Sequence, residues 1–265
     1  MDQLHKKTVI VTGGTGGIGD AMCRLFANES AHVIVADVAD AKGESLCAEI
    51  TEAGGKATYL RLDVSNPGAW NHAAQEIRAL GQLNALVNNA GIQTRSNLMD
   101  TPPETWDSII KVNLTGAFLG IRAMAPLIRE AGGGAILNIS STGGAIAHTT
   151  AAYSTSKWGL RGLTKCAAVD LARWNIRVNA LLPGRIQTPF IEDADPSDLQ
   201  ASELIVPMKR LGKPSEVAAA ALLLISDAAS YITGIDMPVD GGVLAGGTVT
   251  ARRHIAATLD ETRRN

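Results

Sequence analysis

The stretch Thr8–Gly19, TVIVTGGTGGIG, runs β-branched residues straight into a turn with five glycines. Val, Ile and Thr are stiff at χ1 and suit extended backbone, so TVIVTG at 8–13 reads as a buried strand. The glycines let the chain turn tightly and approach a ligand closely. Gly13, Gly17 and Gly19 are spaced GxxxGxG rather than GxGxxG, but the physics is shared: a glycine turn and a helix N-terminus together face a pyrophosphate. The following IGDAMCRLFANES predicts that helix.

Outward from this unit the same alternation repeats. Strands are predicted at 32–38, 57–65, 83–91, 134–141 and 176–184, with a short last one at 236–242. Helices are predicted at 41–54, 67–81, 103–132, 152–174 and 215–230. Strand and helix in turn imply a doubly wound, Rossmann-like α/β fold, a parallel sheet with helices on both faces. No linker or low-complexity run divides the chain, so residues 1–265 read as a single domain, with a core over 6–244 and an extension over 245–265.

Composition narrows the function classes. Aromatic residues are only 4% against 46% hydrophobic, so the core must be built from Ala, Val, Leu and Ile. A net charge of -2 supplies no field for nucleic acid or an anionic membrane. Cys23, Cys47 and Cys166 have neither disulfide-like nor metal-like spacing, which suits a reducing cytoplasm. The histidines are dispersed without HExxH, so no metal is expected. No signal-peptide core or membrane-length apolar run is present.

In such sheets ligands sit outside the carboxyl ends of the strands. Asp37 follows the second strand, where a carboxylate accepts hydrogen bonds from the adenosine ribose hydroxyls and repels a 2′-phosphate. No Arg or Lys follows it, and Gly16 stands where a basic residue would otherwise reach that phosphate, so NAD is favoured over NADP. Asp63 and Val64, then NNAG (Asn88–Gly91), Ser140 and Ser141, and PGRIQTP (Pro183–Pro189) occupy later strand ends. YSTSK (Tyr153–Lys157) opens the helix after the serines. Four-residue spacing puts phenol and ammonium on one helix face, where the charge would lower the Tyr pKa.

Taken together, TGGTGGIG, Asp37, LDV, NNAG, VN at 112–113, NISS, YSTSK, RVNALLPGRIQTP, GKPSEVA and YITGIDMPVDGG resemble the short-chain dehydrogenase/reductase family in its short form. The resemblance implies hydride transfer between NAD(H) and a secondary alcohol or ketone. It makes Tyr153 the proton donor or acceptor. Lys157 would tune the Tyr and hold the nicotinamide ribose, and Asn113 would shape the long helix and a water relay to Lys157. Gly13, Gly17, Ile18 and Gly19 would line the pyrophosphate. Asp63, Val64, Asn89, Ala90 and Gly91 would flank adenine and ribose, and Pro183, Gly184, Ile186 and Thr188 the nicotinamide. The carbonyl-polarising Ser is Ser140 if counted from Tyr153 and Ser141 if taken from the motif SSxxG. Ser141 is favoured, because a loop absorbs a deletion more easily than a strand end.

The substrate is expected to touch Gln93, Arg95, His148 and the loop Phe190–Pro207. That loop carries Glu192, Asp193, Asp195, Asp198 and Glu203 without a Lys or Arg, which favours a neutral alcohol or ketone. A 3-oxoacyl thioester reductase is the alternative, and a nicotinamide-binding sensor without turnover is the reading from another class. Family likeness implies a homotetramer or homodimer, with Gly159, Gly162, Ala167 and Ala168 permitting close helix approach. The extension, with Arg252, Arg253, Arg263 and Arg264, reads as a solvated tail.

Overall fold

A computed structural model describes residues 2–189 and 196–264. Its centre is one parallel sheet of seven strands in the order β3-β2-β1-β4-β5-β6-β7. The strands are β1 (Thr8–Thr12), β2 (His32–Asp37), β3 (Lys56–Arg61), β4 (Ala85–Asn88), β5 (Gly134–Ile139), β6 (Ile176–Pro183) and β7 (Asp236–Val239). The helices are α1 (Gly17–Asn28), α2 (Asp40–Glu52), α3 (Pro67–Leu80), α4 (Pro103–Ile110), α5 (Gly116–Glu130), α6 (Ala151–Leu171), α7 (Pro196–Ile205), α8 (Pro214–Ile225) and α9 (Val243–Arg264).

Side chains alternate across a strand, and the apolar runs feed two cores accordingly. Val9 and Val11 of β1 join Val33, Val35, Val87 and Leu137 beneath α1 and α8. Ile10 points the other way, with Ile34, Leu86 and Ile136, toward α3, α5 and α6. With so few aromatics, single large rings anchor each side: Phe26 in the first core and Trp70 in the second. Trp70 is 1% exposed, and its indole N–H donates to Val64 O at 2.9 Å. It fits because residue 120 is Gly; a Cβ there would lie 2.8 Å from the ring.

The structure departs from the sequence reading in several places, among them α7, which lies within the segment expected as the loop Phe190–Pro207. The helix expected over 103–132 is α4 and α5 joined by a π-helical turn, Lys111–Thr115, centred on Asn113. The third strand ends at Arg61, since Asp63 turns the chain by accepting Ser65 N–H at 2.9 Å; Asp63 and Val64 therefore lie in the loop beyond it. The tail, read as solvated, forms the helix α9, broken at Gly246, with residues 252–259 exposed. It starts from Gly241 and Gly242, which adopt φ of +62° and +91° and pack on Val206 and Pro207. Arg252 and Arg253 on it are exposed, while the Arg263 and Arg264 side chains lie outside the described residues.

Among the described residues no helix is long and apolar enough to cross a membrane. All three cysteines are free. Gly120→Ala should destabilise the fold by about 1–3 kcal/mol, since Trp70 has no room to retreat. Urea denaturation measures this, and an unchanged midpoint would show that the α3–α5 contact is not close-packed.

Candidate active site

The sheet order reverses direction between β1 and β4, and the crevice at that point lies where the glycine turn meets the β4 end. Gly13 takes φ +61°, and a Cβ on it would lie 2.8 Å from Ala90 Cα. A Cβ on Gly19 would overlap the Gly13 carbonyl oxygen, and one on Gly17 would lie 2.7 Å from the Thr188 methyl. Gly16 is the N-cap of α1, and no side chain caps that helix. A backbone cradle closed to side chains, in front of an uncapped helix N-terminus, fits a dinucleotide pyrophosphate.

Thr12 holds the cradle in place, a role the sequence reading missed. Its hydroxyl is buried, accepts the N–H groups of Asn89 (3.0 Å) and Ala90 (3.1 Å), and donates to Val87 O at 3.3 Å. The Asn89 side chain returns the bond, donating to Thr12 O and Gly13 O, each at 3.0 Å. Gly91 follows and faces Asn113 and Lys157. On the β6 side, Gly184 N–H donates to Val239 O, Ile186 is buried, and Thr188 lies against Gly17. Ile18 packs against the core beneath the turn.

At the adenosine end, Asp37 accepts four hydrogen bonds: from Thr15 N–H (3.1 Å), Thr15 Oγ1 (2.8 Å), Val38 N–H (2.8 Å) and Ala39 N–H (3.2 Å). A cation does stand nearby. Arg61, in register opposite Asp37, pairs with Asp40 and donates to Val38 O. Asp40 thus occupies a guanidinium that the sequence reading had not seen.

The second half of the site hangs on α6. The Tyr153 phenol has Ser141 as a polar neighbour that favours its ionised form, and its ring leans on His148 with centroids 5.9 Å apart. The extended backbone at Ser140 and Ser141 sends the two hydroxyls apart. Ser140 is buried and donates to Lys157 O at 3.0 Å, whereas Ser141 accepts Gly143 N–H at 3.0 Å. Lys157 is 4% exposed, donates to Ile139 O at 2.8 Å, and stands 5.7 Å from the centre of the Tyr153 ring. Asn113 clamps the loop after β4: its side chain accepts Ile92 N–H at 2.8 Å and donates to Ile92 O (2.9 Å) and Ser156 Oγ (3.0 Å).

The electrostatics correct one expectation. The charge of Lys157 does not bring the Tyr153 phenol down. Burial pushes the phenol above its ordinary value, opposed only by its neighbour Ser141. Burial also lowers the Lys157 ammonium, to about 8. Desolvation outweighs pair attraction because the ammonium sits over the ring face and bonds Ile139 O.

Gln93 and Arg95 lie on the irregular segment after β4, on the side held by Asn113, and His148 lies beside Tyr153. Of the expected acidic loop, Phe190, Glu192, Asp193 and Asp195 fall outside the described residues, as does the Asp198 side chain, while Glu203 is exposed on α7. Among the described residues no group of three His, Cys, Asp or Glu side chains gathers as a metal site would.

This cradle, with a Tyr–Lys helix set against it, defines a nicotinamide-dependent oxidoreductase, and comparison with known proteins agrees. A family model described as enoyl-(acyl carrier protein) reductase matches residues 13–244. The chain belongs to the short-chain dehydrogenase/reductase family and is an enzyme of CH–OH and C=O groups. It is 43% identical over 249 residues to a cyclopentanol dehydrogenase of Comamonas sp. (strain NCIMB 9872), covering 92% of this chain and all of that one. It is 41% identical to a 3-alpha-(or 20-beta)-hydroxysteroid dehydrogenase of Mycobacterium tuberculosis, with 92% of each chain covered. A solved 3-oxoacyl-[acyl-carrier protein] reductase with bound NAD from Brucella melitensis superposes with a TM-score of 0.84 at 35% identity, over 91% of this chain and 92% of that one.

Two outcomes are expected. Thr12→Val keeps the shape but strands two part-buried N–H groups, at a cost of about 1–3 kcal/mol; denaturation midpoints that match the wild type would contradict this. Lys157 titrates near 8 folded against an ordinary 10.5, so the native state holds this proton more weakly than the unfolded chain. The cost of burying the charge is therefore full below pH 8 and fades as pH rises toward 10.5. Lys157→Met should be more stable than wild type by about 1–3 kcal/mol at pH 7, with the gap closing as pH rises. Urea titrations at neutral pH and at about pH 10 read the difference, and a gap that ignores pH would refute it.

Proposed function

We propose that the chain is an NAD(H)-dependent dehydrogenase/reductase of a secondary alcohol and its ketone, acting as a single dinucleotide-binding and catalytic domain in the cytoplasm. The observation that carries the reading is the buried Lys157 standing 5.7 Å from the centre of the Tyr153 ring, one helical turn on, at the end of β5 where Ser141 lies. Gly13, Gly17, Ile18 and Gly19 would hold the pyrophosphate and Asp37 the adenosine ribose. Asp63, Val64, Asn89, Ala90 and Gly91 would flank adenine and ribose. Pro183, Gly184, Ile186 and Thr188 would border the nicotinamide, with Tyr153 and Lys157 at its ribose. The nicotinamide, when bound, supplies or accepts the hydride.

The protein's share is position and the proton. Tyr153, a phenol protonated at neutral pH whose proton burial holds more firmly still, donates that proton to the carbonyl oxygen in reduction and takes up the alcohol's proton in oxidation. Ser141 donates a second hydrogen bond to the same oxygen, where negative charge develops. Lys157, lowered to about 8, gives and takes a proton close to neutral pH and so can restore Tyr153 between turnovers. Asn113 fixes the Ile92 backbone and, through Ser156, the first turn of α6.

Preference for NAD rests on Asp37, whose carboxylate repels a 2′-phosphate while Asp40 occupies Arg61. The cyclopentanol and hydroxysteroid dehydrogenases among the relatives support a neutral, cyclic secondary alcohol. The Brucella reductase and the family model's description support a second reading, reduction of a 3-oxoacyl thioester. Assembly as a homotetramer, or a homodimer, is supported by Phe118 on α5 and Trp158 and Val169 on α6, which remain exposed in the monomer.

The test is the decay of NADH absorbance with cyclic ketones, a ketosteroid and a 3-oxoacyl thioester, run beside NADPH. Decay with NADH and a neutral ketone is expected, reduced by about 100-fold or more in Tyr153→Phe with NADH binding retained. Faster turnover of the thioester would select the second reading. Tight NADH binding without turnover in either direction would instead mark a sensor.

A further inference from the structure

Tyr153 and Lys157 begin a four-residue series along one face of α6 that continues through Arg161 to Lys165. Arg161 links two distant parts of the fold. Its Nε and one terminal nitrogen donate to Asp236 Oδ2 on β7, at 3.0 and 2.9 Å. Its other terminal nitrogen donates to Gly144 O at 2.5 Å. Gly144 closes the 3-10 turn Thr142–Gly144 that Ser141 begins, and the N–H of Gly143 in that turn donates to Ser141 Oγ.

The turn is held against α6 along its whole length. Ser154 Oγ donates to Gly143 O at 2.6 Å, and Ser140 Oγ donates to Lys157 O at 3.0 Å. A Cβ at residue 144 would lie 2.8 Å from both Lys157 O and Ser140 Oγ, so the turn already rests on the helix backbone. Among the described residues, Arg161 is the side chain that hydrogen-bonds its far end. The Trp158 ring lies 5.2 Å from the Arg161 guanidinium carbon.

Asp236 has an arrangement that packing alone does not explain. Arg161 and Lys165 both donate to its Oδ2, while its Oδ1 is buried without a partner among the described residues. Burial alone would raise this carboxyl, but the hydrogen bonds from Lys165 and Arg161 hold it below its ordinary value. A carboxylate that keeps its charge with one oxygen orphaned costs free energy. What the arrangement delivers is a guanidinium whose remaining edge points at Gly144 O.

We propose that Arg161, aimed by Asp236, is a positioning residue that keeps the Ser141 hydroxyl against Tyr153 by holding the Gly144 carbonyl. The inference rests on the reaction assigned above, in which Ser141 and Tyr153 share the carbonyl oxygen.

The test is a double-mutant cycle in the full chain, using the best ketone from the panel. Arg161→Ala should lower kcat roughly tenfold, with the KM for NADH little changed. Ser141→Ala should lower kcat further, and adding Arg161→Ala to it should cost nothing more, because the positioned group is gone. Arg161→Lys preserves the charge and the pairing with Asp236 but is too short a fork to span both acceptors, so it should lose kcat with an unchanged unfolding midpoint; it serves in the cycle should the Ala variant not fold. Millimolar guanidinium added to Arg161→Ala should restore part of kcat. Losses that multiply in the Ser141→Ala background, or a kcat untouched by either Arg161 variant, would overturn the inference while leaving the reaction standing. A wild-type turnover indifferent to Ser141 would overturn the reaction and the inference together.

Discussion

Everything at the cofactor end depends on how closely the turn after β1 can approach the end of β4. The gap is closed by one hydroxyl. Thr12 accepts two backbone N–H groups from the neighbouring strand end, and the Asn89 side chain answers by holding Thr12 and Gly13 carbonyls. A residue of any size at position 13 would separate the two strand ends. The glycine turn is therefore not merely supple. It is pinned, and pinning keeps its N–H groups aimed while the helix behind it stays uncapped.

The reacting end is organised around a different element. One face of α6 presents a phenol, an ammonium and a guanidinium at successive turns, and each meets a different part of the β5 end or the turn beyond it: Ser141, the Ile139 carbonyl and the Gly144 carbonyl. Burial decides the protonation of the first two more than their mutual attraction does. The phenol stays a donor and the ammonium becomes easy to deprotonate, which are the states that reduction and reprotonation call for. Such a face is costly to bury, and the apolar strands on either side of it offset that cost.

Much of this was legible in the residues. Runs such as TVIVT and HVIVAD can scarcely be other than buried strands, and glycines in sequence mark the turn. The ordered motifs at the strand ends gave the family. What escaped the reading depends on neighbours that only the sheet supplies. Thr12 looks like one more β-former until β4 is set beside it. Arg61 reaches the Asp37 turn because β2 and β3 pair in register, a fact invisible from the residues after Asp37. Asp236 lies 75 residues from Arg161 in the chain. The direction of the Tyr153 shift was missed because spacing reports a neighbouring charge but not the loss of water around it.

The π-helical turn at Lys111–Thr115 sets the rotational phase between α4 and α5. The π turn already takes up one extra residue, and a further one that it cannot take up would turn everything downstream by about 100°. Such an insertion would swing Gly120 away from Trp70 and roll the buried row of α5, including Ile121 and Met124, toward solvent. An insertion in the irregular stretch between β4 and α4 would leave that phase untouched. Sensitivity to chain length, more than to residue type, thus separates the segment that aims Asn113 from the segments that only connect.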